Sequence, residues 1–185
     1  MAEKNRESCI ICQIAGNKIP SYKIYEDDIA VAVLDVNGAN PGHCFVIPKS
    51  HYPIIEQVPD SDLAHLFTVA NKISSAIFEK LKAQGTNIFI ANGIPAGQTV
   101  AHFVINVIPR KENDGVNLQW KPKQLTEEEM STVELKLKEN TEHAGIEKTV
   151  KAERQKPSQE RAPRPAAVFT DEEDDYFTRQ MRKMP

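Results

Sequence analysis

Gly97-Gln98-Thr99-Val100-Ala101-His102-Phe103-Val104-Ile105-Asn106-Val107-Ile108-Pro109-Arg110 is the stretch on which the fold turns. Its centre is dense in branched and aromatic residues, which predicts a strand over 101–108. Side chains alternate across a strand. Phe103, Ile105 and Val107 therefore share one face, the one expected to meet the core. His102, Val104, Asn106 and Ile108 share the other. A polar–apolar–polar row on that second face marks a surface with a task beyond packing.

Outward from this strand, 22–25, 29–36, 43–48 and 86–91 also read as strands. Each is short and bounded by turn residues such as Asp27-Asp28, Asn37-Gly38 and Pro41-Gly42. Between them, Leu63, Leu66, Phe67, Ala70, Ile73, Ile77 and Leu81 recur at three- and four-residue spacing, which predicts a helix over 60–84. Pro59 and Asp60 open it and Gly85 is expected to close it. The sum is an α+β fold, a mostly antiparallel five-stranded sheet packed with helices. Near residue 115 the composition changes. Residues 116–185 hold 13 of the 23 basic and 14 of the 26 acidic residues and no second core. Thr126-Glu127-Glu128-Glu129 reads as a capping box that opens a helix to about residue 142, with a thin apolar face of Met130, Val133 and Leu137. The expected organisation is a domain over 1–115, a helical extension over 116–150, and a disordered charged tail over 151–185.

Several function classes are excluded at this level. No apolar run approaches the ~18–20 residues that span a bilayer, and the first six residues lack the apolar core of a secretory signal. A net charge of −3 gives no strong nucleic-acid signal. Three cysteines form no disulfide framework, so reduced thiols and a cytoplasmic setting are expected. Cys9-Ile10-Ile11-Cys12 can grip a metal ion, and the same spacing occurs in redox pairs and by chance. Asn92-Gly93 and Gly97-Gln98-Thr99 punctuate a loop whose backbone N–H groups can converge on phosphate oxygens, although glycine also simply makes turns. Cys44 reads as a small core residue, His65 as a surface or boundary histidine, and His143 as a histidine near a helix end.

Taken together and in order, these motifs resemble the HIT (histidine triad) superfamily of nucleotide hydrolases and transferases. The resemblance runs from about Cys9 to Gly115. It is carried by Cys9-Ile10-Ile11-Cys12, Ile19-Pro20, Asp35, Pro41-Gly42-His43, Ile47-Pro48-Lys49-Ser50-His51, Asn92-Gly93, Gly97-Gln98 and the 101–108 strand. It implies a triad of alternating histidines, and here this chain departs. His102 matches the first position, Val104 occupies the second and Asn106 the third. In the family the second histidine attacks phosphorus and forms a covalent nucleotidyl intermediate. Valine has no lone pair and can serve as neither nucleophile, acid nor base. Asn106 still donates and accepts hydrogen bonds, and the uridylyltransferase branch carries glutamine at that third position. No catalytic residue is therefore assigned, and no other histidine is expected on that face.

The resemblance also implies a structural zinc held by Cys9, Cys12, His51 and His102, a closed tetrahedral set with no open position for catalysis. It implies a nucleotide or nucleotide-like ligand contacted by Asp35 (ribose hydroxyls), Asn92, Gly97, Gln98 and Asn106. Val33, Leu34 and Val36 are expected to line the base, with Lys49, Arg110 and Lys111 as candidate charge complements. A homodimer is expected. An active nucleoside-phosphate hydrolase or nucleotidyl transferase is the competing reading and requires a substitute nucleophile. A third is a protein-interaction scaffold acting through residues 171–185, where Phe177, Met181 and Met184 follow five acids at helical spacing.

Overall fold

The computed structural model describes residues 6–141, and the expectations for the tail, its 171–185 segment and His143 lie outside the described residues. In chain order the elements are α1 (Ile10–Ala15), β1 (Lys23–Glu26), β2 (Ala30–Leu34), β3 (Cys44–Pro48), α2 (Asp60–Leu81), β4 (Gly85–Phe89), β5 (Ile105–Arg110) and α3 (Glu127–Thr141). The five strands form one sheet in the order β1-β2-β3-β5-β4, and every neighbouring pair is antiparallel. The expected α+β architecture is present. Two compact units divide at Lys121/Pro122. Order continues past residue 115 because Arg110 donates to the Val116 carbonyl and Val116 N–H donates to Asp114.

Strand alternation gives the sheet two faces with different partners. Ala30, Ala32, Cys44, Val46, Ile105 and Val107 point toward α2 and pack with its Leu66, Val69, Ala70 and Ile77. On the opposite face, Val31, Val33 and Ile47 pack against Cys9, Ile11 and Ala15 of the N-terminal segment. The register Val33↔Phe45, Phe45↔Asn106 and Phe89↔Asn106 sets those four side chains in one row across this second face. The short α1 covers only part of the row, and what it leaves uncovered becomes a cleft.

Several boundaries differ from expectation. Helix α2 ends at Leu81, not at 84: Lys82 takes the left-handed conformation (φ 54°) that ends the helix, and Gly85 opens β4. Phe67 and Leu81, counted in its buried face, are exposed, and Val69 and Ser74 are buried in their stead. Strand β5 begins at Ile105, not 101. The register would next oppose Phe103 to Pro48, which has no N–H to give. Phe103 N–H instead donates to the Tyr52 carbonyl (2.6 Å), and the Pro48 carbonyl lies 3.2 Å from His102 Nε2. The alternation persists through the bend, with Phe103 buried against α2 and Val104 on the opposite face.

Gly42 sets the entry of β3. Its φ of +91° lies in the region open to glycine, and a Cβ there would run into Leu81 Cδ1. The turn it permits delivers His43 to the cleft face. In the second unit the capping box forms as expected: Thr126 Oγ1 accepts from Glu129 N–H at 3.3 Å, and Glu129 Oε2 accepts from Thr126 N–H at 2.8 Å. Met130, Val133 and Leu137 are exposed.

Candidate functional site

Helix α1 is six residues long and has no side-chain cap, so it depends on what pins it. Cys9 and Cys12 flank its first turn, His51 follows the end of β3, and His102 lies in the bend before β5. Their ligand atoms all fall within 4.8 Å of one another. His51 Nδ1 and His102 Nδ1 are 3.2 Å apart. Cys12 Sγ is 3.3 Å from His51 Nδ1 and 3.4 Å from His102 Nδ1, and Cys9 Sγ is 3.6 Å from His102 Nδ1. A tetrahedron with Zn–S of about 2.3 Å and Zn–N of about 2.0–2.1 Å has N–N edges of about 3.3 Å and S–N edges of about 3.6 Å. The four distances above lie close to those edges.

The protonation pattern fits a metal as well. A carbonyl only accepts, so His102 Nε2 carries the proton it gives to Pro48 (3.2 Å), and the lone pair on Nδ1 faces the other three ligands. Burial, and then the charge at His51, push the His102 imidazole down to about 4, so the ring is neutral. Burial and the adjacent Cys9 sulfur push the Cys12 thiol up to about 11. Two sulfurs and two imidazole lone pairs converging on one point call for a cation between them. Cys44 lies apart in the core, its thiol pushed up to about 12 by burial.

Beside this cluster, on the same sheet face, lies a cleft of about 500 Å³. Asp35, Gly97, Gln98, Val104 and Asn106 all line it. Val104 sits between His102 and Asn106 as strand alternation requires. Asn92 is not among the lining residues. Its Oδ1 accepts from Ile55 N–H (3.1 Å) and its Nδ2 donates to Glu56 (2.8 Å), which holds the 3-10 turn Ile55–Gln57 to the loop. Gln98 lines the cleft but is fully engaged: Oε1 accepts from Gly93 N–H (2.8 Å), and Nε2 donates to the Pro53 (2.7 Å) and Val100 (3.0 Å) carbonyls. It shapes the loop from within. Gly97, at φ +92°, closes the turn that follows.

Four expectations are corrected. Val33 is buried under α1, Leu34 faces α2, and Val36 points to solvent, so the apolar wall is made instead by Ile10, Ile11 and Phe45. Lys49 is paired with Glu26 (2.9 Å) and Arg110 with Asp114 (2.6 Å), both away from the cleft. Lys111 lines a separate small pocket. The fourth is His43, which does share the face of Val104 and Asn106. Ala39 N–H donates to its Nδ1 (3.1 Å), so the proton resides on Nε2, 3.3 Å from Asn106 Oδ1. Asp35 Oδ2 stands 3.5 Å from the same Nδ1. Its parity with Phe45 in β3 was the available sequence signal. Elsewhere, His65 bridges α2 to the turn before β2 through Asp27 Oδ2 at 2.6 Å, a boundary role.

A five-stranded antiparallel sheet with one long helix, a histidine-bearing cleft and a Cys₂His₂ cluster defines a class of protein, and comparison with known proteins gives its family. The chain belongs to the HIT family, whose HIT domain model matches residues 17–113. It is 38% identical over 109 residues to an adenylylsulfatase of Arabidopsis thaliana, which spans 59% of this chain and 55% of that protein, about half its length. A crystal structure of a zinc-bound histidine triad family protein from Mycobacterium smegmatis is 32% identical, with a TM-score of 0.58, covering 75% of this chain and 99% of that one. A histidine triad nucleotide-binding protein from Candida albicans is 27% identical, with a TM-score of 0.67, covering 74% and 99%. Among the described residues no helix is long and apolar enough to cross a membrane.

Proposed function

We propose that the protein binds a nucleotide or nucleotide-like ligand in the cleft, holds a structural zinc at Cys9, Cys12, His51 and His102, and is catalytically impaired. The observation that carries this is Val104 at the centre of the cleft face, between His102 and Asn106. Asp35, beside His43, suits the ribose hydroxyls, and the loop at Gly97–Gln98 suits the 5′ end. Asn92 acts on the ligand through that loop. The zinc supplies no chemistry at the cleft: four protein ligands leave no coordination position open, so it pins α1 to the sheet. The relatives' nucleotide chemistry supports the ligand, and the zinc-bound neighbour supports the metal. Its setting is the cytoplasm, where the two thiols stay reduced.

The active-enzyme reading now has a candidate, since His43 puts an imidazole in the cleft. Both of its nitrogens are engaged, one with Ala39 N–H and one with Asn106, which leaves no lone pair for phosphorus. The test of the binding reading is a thermal-shift panel of nucleosides and nucleotides with zinc content measured alongside. Stabilisation of about 2–4 kcal/mol is expected at ligand concentrations 100–1,000 times Kd. A protein that no panel member stabilises is not a nucleotide binder. For assembly, β4 lies at one edge of the sheet and carries the exposed Ile88 and Phe89. A dimer joined there should sediment at about twice the 20.7 kDa chain mass, and a mass of one chain would exclude it.

A further inference from the structure

We infer that the cleft selects uncharged ligands, taking the nucleoside end of a nucleotide and discriminating against its phosphate. This rests on the nucleotide-cleft reading above and names the ligand class for it. The ionisable side chains on the cleft walls are Asp35, His43 and His102. His102 has both nitrogens committed, Nδ1 to the Cys/His cluster and Nε2 to the Pro48 carbonyl, so it offers the cleft no charge and no donor. His43 Nδ1 faces the Ala39 N–H and stands 3.5 Å from Asp35 Oδ2, while its Nε2 faces Asn106 Oδ1, so a proton gained by the ring is matched by that carboxylate. Asp35 is the one carboxylate of the described walls, and it stands against His43.

Among the described residues no Lys or Arg lines the cleft. Lys49 faces Glu26, Arg110 faces Asp114, and Arg6 lines a different pocket with Cys12, Glu26 and Lys49. A metal held by two thiolates and two neutral imidazoles adds no net charge. The middle of the cleft face is the isopropyl group of Val104, which packs with Ile11 and Phe45. A phosphate seated there would lose hydration against a methyl surface, beside a carboxylate, with neutral donors among the described residues to replace water: the Thr99 hydroxyl, the Asn37 and Asn106 amide nitrogens and backbone N–H groups of the loop. Burying a charge without a counter-charge is costly. The same donors suit a 5′-hydroxyl, an amide or another uncharged 5′ substituent. Val104 is thus a specificity-determining residue as well as a missing nucleophile.

The experiment is isothermal titration of the full zinc-loaded chain with the four common ribonucleosides and their 5′-monophosphates. At pH 8 free imidazole is neutral and the phosphate dianionic. The expected result is that the best-bound nucleoside binds at least as tightly as its own monophosphate. In Val104→His the monophosphate should gain about tenfold relative to the nucleoside. A second variant, Val104→Lys, places a cation at the same point and should shift the ratio further in the same direction. A native protein that binds the monophosphate tenfold or more tighter than the nucleoside overturns the inference and leaves the nucleotide reading standing. Binding of neither series overturns the nucleotide reading itself, and this inference with it.

Discussion

No nucleotidyl–protein adduct should form when the native chain is incubated with an adenosine monophosphate phosphoramidate, and turnover should lie about 10⁴-fold or more below that of an intact-triad relative. Loss of a nucleophile from a catalytic unit costs several orders of magnitude because the remaining groups act through it. The register leaves no local repair. Asn106 is paired with Phe45 on one side and Phe89 on the other. Sliding β5 by one residue would bring Phe103 and Ile105 to the cleft and send the polar row into the α2 core. His43 is close enough to Asn106 to be engaged by it and has no free lone pair. Val104→His should recover only a trace of activity, since position 106 still lacks an imidazole. Intact-mass spectrometry of the unmodified chain decides the matter: a mass increase of one nucleotidyl group on any residue would promote the active-enzyme reading.

Removing the metal should have the second large effect. The purified protein is expected to carry about one zinc per chain. Cys9→Ser and His102→Ala should each lower zinc content and cost several kcal/mol, a fall in Tm on the order of 10 °C or more for a domain of this size. The reason lies in α1. It has six residues, no side-chain cap and no acidic residue in its first turn. Its own propensity cannot hold it against the sheet, so its packing on Val31, Val33 and Ile47 depends on the cluster. Chelation of the native protein followed by thermal denaturation is the check. Zinc-free protein with unchanged Tm and freely reactive Cys9 and Cys12 would remove the metal from the account.

Much of this was legible in the sequence because it follows from period and parity. The alternation through Phe103, Ile105 and Val107 predicted their buried face, and the α2 stripe predicted its own apart from Phe67 and Leu81, which are exposed. The four metal-ligand residues were found by resemblance, and the fold brings them together across 93 residues of sequence. The less legible features depend on contacts that no local pattern encodes. Helix α1 is too short to show a period. The start of β5 is displaced by a proline on the neighbouring strand, and the end of α2 is set by a left-handed lysine where a glycine looked sufficient. Asn92 and Gln98 have the chemistry of ligand contacts, but Ile55 N–H and the Glu56 carboxylate engage Asn92, and backbone groups of Pro53, Gly93 and Val100 engage Gln98. Sequence gives a polar side chain's type and position, and only the fold shows which partner it has already taken.

In Cys9-Ile10-Ile11-Cys12 the two residues that wall the cleft stand between the two that grip the metal. One helical turn therefore answers to two ligands. By thermodynamic reciprocity, whatever free energy a bound small molecule draws from an ordered Ile10–Ile11 wall, it returns as tighter metal binding, and the metal does the same for the small molecule. A metal affinity measured for this chain would then depend on the occupied or empty cleft as much as on the four candidate ligands. With a metal bound, the cluster would act as a clamp whose grip reports on the occupancy of the cleft.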